Sequence, residues 1–314
     1  MPKDLHELPR LEDGWSYLYV EHCKIDKDDK AIAITDAQGK VNVPCASLAL
    51  LMLGPGTSIS HEAVKTMVDN GCMAVWCGEG GVRFYAYGTG ETRKGTKLVR
   101  QALLVSHPAL RQKVVEKMYR MRFTEPVPEG LSIQQLRGVE GQRVRQAYAN
   151  ASAETGVPWL GRSFDPGNWS NADPVNRALS TANSCLYGIC HAAIASIGYS
   201  PGLGFIHTGK QLSFVYDIAD LYKADITIPL SFNDVVKWKQ TPNSSLERLV
   251  RQDCRDKFND VDLLSRIIPD IEKALDVKVP EELIFEDYDT DLVVPGKVWD
   301  PKDGSLPGGV NYGN

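Results

Sequence analysis

Apolar and polar positions alternate over short runs in the first ninety residues of the chain, and recur every three to four residues after that. WSYLYVEHC (15–23), AIAITD (31–36) and VNVP (41–44) are β-favouring runs. Between them lie KIDKDDK and AQGK, whose Asp, Lys and Gly content predicts turns. CMAVWCGEGGVRFYAYG (72–88) predicts a hairpin that bends at Gly78 to Gly81. Only SHEAVKTMVDNG (60–71) has a helical period in this part, with Ser60 as N-cap, Glu62 in the first turn and Gly71 as the stop.

GTGETRKGTK (88–97) breaks the alternation, being Gly-rich, charged and without apolar period, and predicts a linker. Beyond it the segments 98–106, 109–123, 132–152, 173–200, 212–225, 231–240, 244–259 and 260–277 each wind as helices. From about residue 284, Pro, Gly and Asp occur without period. The fold class expected is therefore α+β with two domains. A β-rich N-terminal domain of hairpins plus one helix covers 1–91, an all-helical catalytic domain covers 92–283, and a flexible acidic tail covers 284–314.

Composition adds one feature to this outline. The chain is ordinary in hydrophobic content (43%) and carries a net charge of −5, yet twelve Lys/Arg face four acids between Arg93 and Arg145. A basic block in an acidic chain is the footprint of a polyanion-facing surface, unless it is only a set of solvated helix faces. The seven cysteines are odd in number and contain no CxxC, which predicts reduced thiols in a cytoplasmic protein rather than a disulfide framework or zinc site. Neither the opening MPKDLHELPRLEDG nor the short SLALLML run (47–53) predicts a signal peptide or membrane span. The glycines at 90 and 95 lack a Lys placed for a phosphate loop, HEAVK (61–65) lacks the second His of a zinc-protease helix, and GEGGVR is not a dinucleotide fingerprint.

One acid stands in the wrong place. In SIQQLRGVEGQRVRQAYANAS (132–152), Ile133, Leu136, Val144, Ala147 and Ala151 share one helical stripe, and Glu140 lies in its middle. A carboxylate facing a core must be paired, protonated or bound to a cation. Arg143, three residues on, is the obvious partner if the role is only structural. Gly138 and Gly141 bracket Glu140, and mid-helix glycines suggest close approach of another segment.

A second stretch, GFIHTGKQLSFVYDIADLYK (204–223), sets His207 on a turn between Gly204 and Gly209. A helix follows in which Phe214, Val215, Ile218, Leu221 and Tyr222 form the apolar arc, and Asp217, Asp220 and Lys223 run down the other side. That side is either a solvated face or, with Glu140 and His207, the parts of a carboxylate–imidazole site for Mg²⁺ or Mn²⁺. A metal beside a phosphodiester held by Arg137, Arg143 and Arg145 would make a nucleic-acid phosphodiester enzyme.

LRGVEGQRVRQAYA (136–149) and the 204–223 stretch resemble the signature segments of the CRISPR-associated integrase, the first-numbered protein of the CRISPR adaptation module, in its type I-E subgroup. VPCASLALLMLGPGTSISHEAV and SCLYG are similar too, so the resemblance covers roughly residues 10–280. It implies a cytoplasmic, homodimeric, metal-dependent DNA integrase and endonuclease. Two dimers would hold a small ferredoxin-like partner between them and join the 3′-hydroxyls of captured double-stranded DNA into the CRISPR repeat by transesterification. By motif position Glu140, His207 and Asp220 would be the metal ligands, with Asp217 a supporting acid in the same catalytic site. Lys223, Lys210, Arg83 and Tyr187 would meet DNA, and His22, on an early strand, stands where some relatives carry an aromatic wedge. No residue is identified as a general base. The same site could serve a metal-dependent nuclease acting on branched or repair DNA, and the same charges a non-catalytic DNA-binding scaffold.

Overall fold

The computed structural model of the chain describes residues 17–29, 31–48, 50–79, 83–89, 95–123, 125–162, 173–240, 245–280, 283 and 298–306. A strand-rich N-terminal region precedes a helical C-terminal region. Strands β1 (Tyr17–Val20), β5 (Leu50–Leu53), β7 (Met73–Cys77) and β8 (Phe84–Gly88) form one sheet in that order. β1, β5 and β7 run parallel, and β8 closes the edge antiparallel to β7. Strands β2 (Lys24–Asp28), β3 (Ala31–Asp36), β4 (Gly39–Pro44) and β6 (Ser58–Ile59) form a second sheet in the order β4-β3-β2-β6. Helix α1 (His61–Asp69) starts on Ser60, whose hydroxyl accepts the Ala63 N–H, and is followed by Gly71 at φ 69°.

β5 shows how the layers are joined. All four of its residues are buried. Successive side chains of a strand point to opposite faces. Leu51 and Leu53 pack with Ile25, Ile32 and Met67 between the sheets and α1, while Leu50 and Met52 enter the core of the helical region. That region contains α2 (Thr96–Ser106), α3 (Pro108–Met121), α4 (Ile133–Thr155), α5 (Pro174–Ser196), α6 (Ser213–Ala219), α7 (Ile228–Gln240), α8 (Leu246–Asp260) and α9 (Leu263–Leu275). α5 is buried on nearly every side, and its run of Ala, Cys, Ser and Gly188 lets α6, α7, α8 and α9 pack around it.

Several expectations are revised. KIDKDDK is not a turn: Lys24–Asp28 is a strand paired on both sides, and among its side chains only Ile25 is buried, so its polarity hid it. β1 ends at Val20, and His22 is not on a strand but in an exposed bend at φ 50°. The region is also not built of hairpins alone, because β1, β5 and β7 pair in parallel. In the tail, β9 (Val298–Asp300) and β10 (Gly304–Leu306) pair antiparallel, with Asp300 Oδ1 accepting the N–H groups of Lys302 and Asp303 in the turn. The hairpin bend at 80–82, the boundary at 91, and the tail at 284–297 and 307–314 lie outside the described residues. Among the described residues all seven cysteines are buried and none forms a disulfide, and no helix is long and apolar enough to cross a membrane.

One buried charge in this core predicts a pH dependence. Asp234 on α7 is 1% exposed, and burial, together with Asp253 of α8, pushes its carboxyl up to about 8. The folded chain therefore keeps a proton that the unfolded chain loses near pH 4. The resulting stabilisation is full below that pH and lost as pH rises towards 8. Asp234→Asn is expected to flatten this slope and to raise the thermal midpoint at pH 8 by roughly 2–4 °C, as measured by thermal melts between pH 5 and 9.

Candidate active site

The fully buried carboxylate of Asp217, on α6, organises the His207 turn. Its Oδ2 accepts the N–H groups of Phe205 (2.6 Å) and Ile206 (3.1 Å), and its Oδ1 accepts the N–H of His207 (2.9 Å). His207 Nδ1 lies 2.7 Å from the same Oδ1. This bond raises the imidazole's pKa, against the effect of burial and with help from the Asp220 charge. With Nδ1–H directed at Asp217, the lone pair is on Nε2, the arrangement usual for a metal-binding histidine. The side with Asp217 and Asp220 is thus not a solvated face.

The turn is fixed from behind as well. Arg111 of α3 donates Nε and Nη2 to the Phe205 carbonyl (2.9 and 2.7 Å), and the buried Gln101 of α2 donates to the Ser200 and Leu203 carbonyls. Gly204 is required by contact: a Cβ there would stand 2.3 Å from the His207 carbonyl oxygen and 2.7 Å from Ser213 Cβ. Gly209 has φ 80°. Neither Arg111 nor Gln101 was legible as a site residue, because both act through backbone carbonyls about a hundred residues away.

Glu140 occupies its expected place on the buried stripe of α4 and is 8% exposed. Burial raises its pKa, opposed by Arg122 and Arg143. Its nearer partner is Arg122, at the end of α3, and not Arg143. Arg122 Nη1 donates to Oε1 at 3.3 Å, whereas Arg143 Nη1 stays 3.9 Å from Oε2, beyond hydrogen-bond reach. Arg122 Nη2 stands 3.4 Å from Asp220 Oδ2, so one guanidinium lies between the two carboxylates. Asp220, which caps α6, also accepts from Lys223 Nζ at 2.7 Å. The mid-helix glycines are not explained by a close neighbour. Among the described residues a Cβ at Gly138 would meet nothing within 4 Å, and one at Gly141 only the Arg145 guanidinium.

The structure thus brings Glu140, Asp220 and Arg122 together, with His207 within electrostatic reach of Asp220. Among the described residues no three His, Cys, Asp or Glu side chains stand as a ready metal cluster. The donor chemistry nonetheless fits a hard divalent cation. Glu140 Oε2 is buried without a hydrogen-bond partner among the described residues, His207 has Nε2 to offer, and Asp220 presents a carboxylate.

The basic block is less available than its count suggests. Arg100, Arg111, Lys117 and Arg120 donate to carbonyls within the chain, Lys97 pairs with Glu272, and Arg122 is buried. Arg143 pairs with Asp225 at 3.0 Å. Lys223 sits over the Tyr187 ring (4.9 Å) and is held by Asp220; burial pulls its pKa down, but Asp220 and Tyr187 leave it raised overall. Tyr187 is half-buried, edge-on to Tyr216. Arg83, Arg137, Arg145 and Lys210 are exposed. Arg93 and Lys94 lie outside the described residues.

The chain is similar to known proteins over most of its length. The family pattern described as CRISPR associated protein Cas1 matches residues 109–239, which include Glu140, His207 and Asp220. The CRISPR-associated endonuclease Cas1 2 of Thermus thermophilus is 51% identical over 312 residues, covering 99% of this chain and 94% of the relative. The CRISPR-associated endonuclease Cas1 of Escherichia coli is 44% identical, covering 86% and 88%. A crystal structure of a TtCas1–DNA complex has a TM-score of 0.79 at 52% identity, covering 85% of this chain and 98% of that one. The chain belongs to the Cas1 family of CRISPR-associated proteins.

Proposed function

We propose that this chain is a metal-dependent DNA endonuclease and integrase of CRISPR adaptation, of the type I-E subgroup, which joins 3′-hydroxyl ends of captured duplex DNA into the CRISPR repeat by transesterification. It would act in the cytoplasm as a homodimer, two of which hold a small ferredoxin-like partner. The observation that carries this reading is the approach of Glu140 and Asp220, from separate helices, to either side of one buried cation, beside an imidazole whose Nδ1 is already engaged by Asp217. The endonuclease names of the relatives and the DNA in the TtCas1 complex support it.

Glu140, His207 through Nε2, and Asp220 would hold Mg²⁺ or Mn²⁺, which when bound supplies charge stabilisation at the phosphoryl group. The chain's own residues do the rest. Asp217 would act as a positioning residue rather than a ligand, since its carboxylate is taken up by the His207 imidazole and by the backbone N–H groups of residues 205–207. Exposed Arg137, Arg145, Arg83 and Lys210 are placed to meet phosphates and to set the register of the duplex. Arg143, Lys223 and Tyr187 are engaged inside the site and act by shaping it.

The pairing of both carboxylates with Arg122 favours one second reading, a DNA-binding scaffold whose acids form structural ion pairs. A repeat-bearing plasmid, a short duplex with free 3′-hydroxyls and the small partner separate the readings. An integrase yields covalently joined product, a nuclease yields fragments only, and a scaffold yields neither.

In that assay Glu140→Ala and Asp220→Ala are each expected to lower joining by more than about 100-fold, since loss of even a supporting group at a metal site costs 10–100-fold. Duplex affinity, read by gel shift, should change by less than about threefold. Gly204→Ala is expected to push the His207 turn outward, lowering the joining rate by about tenfold or more while duplex binding persists. Unchanged joining by Gly204→Ala would show that the turn does not set the imidazole.

A further inference from the structure

Arg122 enters the site from α3, eighteen residues before Glu140, and is 6% exposed. Its guanidinium packs over the Tyr119 ring at 4.9 Å. A guanidinium that binds a carboxylate as a structural pair usually does so with two parallel bonds of about 2.7–2.9 Å. Arg122 does otherwise. It divides its two terminal nitrogens between Glu140 Oε1 at 3.3 Å and Asp220 Oδ2 at 3.4 Å. Among the described residues its Nε and Nη2 are buried with no hydrogen-bond partner, and so is Oε2 of Glu140.

Without that guanidinium a buried and a partly buried carboxylate would face each other, an arrangement disfavoured by like-charge repulsion and by burial. Both contacts are nevertheless long, and two of the three guanidinium nitrogens lack hydrogen bonds, so the arginine can give way to a better partner. We infer that Arg122 is a positioning residue that stands in for the divalent cation: it holds Glu140 and Asp220 apart and in place when the metal is absent, and it competes with the metal for them. The inference rests on the reading of these two acids as metal ligands. It accounts for two acids paired across one guanidinium while no metal cluster stands ready among the described residues.

The test uses the full-length chain with manganese as the probe. Manganese affinity is measured by calorimetry and by electron paramagnetic resonance of the free ion, and thermal midpoints are read with and without saturating manganese. Arg122→Gln is expected to bind manganese about tenfold or more tighter than the parent, because hydrogen bonds to charged groups are no longer displaced. Its midpoint should fall in metal-free buffer and largely recover in manganese. Arg122→Lys, which keeps a cation but loses the fork, should lie between the two. Equal or weaker manganese binding by Arg122→Gln, or a midpoint loss of the same size in both buffers, overturns the inference and leaves Arg122 a structural pair. Should Arg122→Gln not fold in either buffer, Arg122→Lys decides: affinity above the parent's supports the competition, and affinity at or below it overturns it. Parent protein that shows no manganese binding abolished by Asp220→Ala would instead remove the metal reading itself, and the inference with it.

Discussion

A carboxylate with no exposed surface survives in a protein only where donors surround it, and Asp217 collects its donors from three successive residues of one turn. Those bonds bring residues 205–207 against α6 and leave one imidazole nitrogen outward. Every other element of the site refers to that turn. Arg111 and Gln101 grip its carbonyls from α3 and α2, Gly204 allows it to close, and Asp220 caps the same helix three residues beyond Asp217. A short helix of seven residues therefore carries both the acid that orients the histidine and the acid that would bind beside it.

The opposite wall depends on α4, where Glu140 stands on a buried stripe at a cost that a paired cation offsets. Arg122 supplies that cation. Much of the apparent basic surface between residues 97 and 122 proves to be internal, holding α2 and α3 to α9 and to the His207 turn. What remains for a polyanion is narrower than the charge count implied: among the described residues, it includes exposed Lys113 of α3 and the exposed arginines of α4, with Arg83 and Lys210.

The sequence was most legible where period and capping agree. Most helices of the C-terminal region, the Ser60 cap and the β7–β8 pairing follow from local patterns, and so does the placement of Glu140 on a buried stripe. The single helix expected over 212–225 is broken: α6 stops at Ala219, and Lys223–Thr227 is a separate π-helical turn leading into α7. It was least legible where the cause is remote. β2 is a strand through its partners and not its composition, and parallel pairing of β1, β5 and β7 leaves no local mark. His207 and the two aspartates could be gathered as candidates, but the division of labour between Asp217 and Asp220 depends on a turn folding back by ten residues. Arg122 could not be found at all, because nothing in YRMRF distinguishes an arginine that will lie between two distant acids from its neighbour Arg120, which pairs on the surface with Glu116.

The central claim is that Glu140, His207 Nε2 and Asp220 converge on one cation. Crystals of the full chain grown with manganese, with anomalous diffraction recorded at the manganese absorption edge, test it directly. A single strong peak is predicted within about 2–2.5 Å of those three donors. A map without a peak there, or with manganese bound elsewhere while the Arg122 guanidinium still bridges both carboxylates, would contradict it.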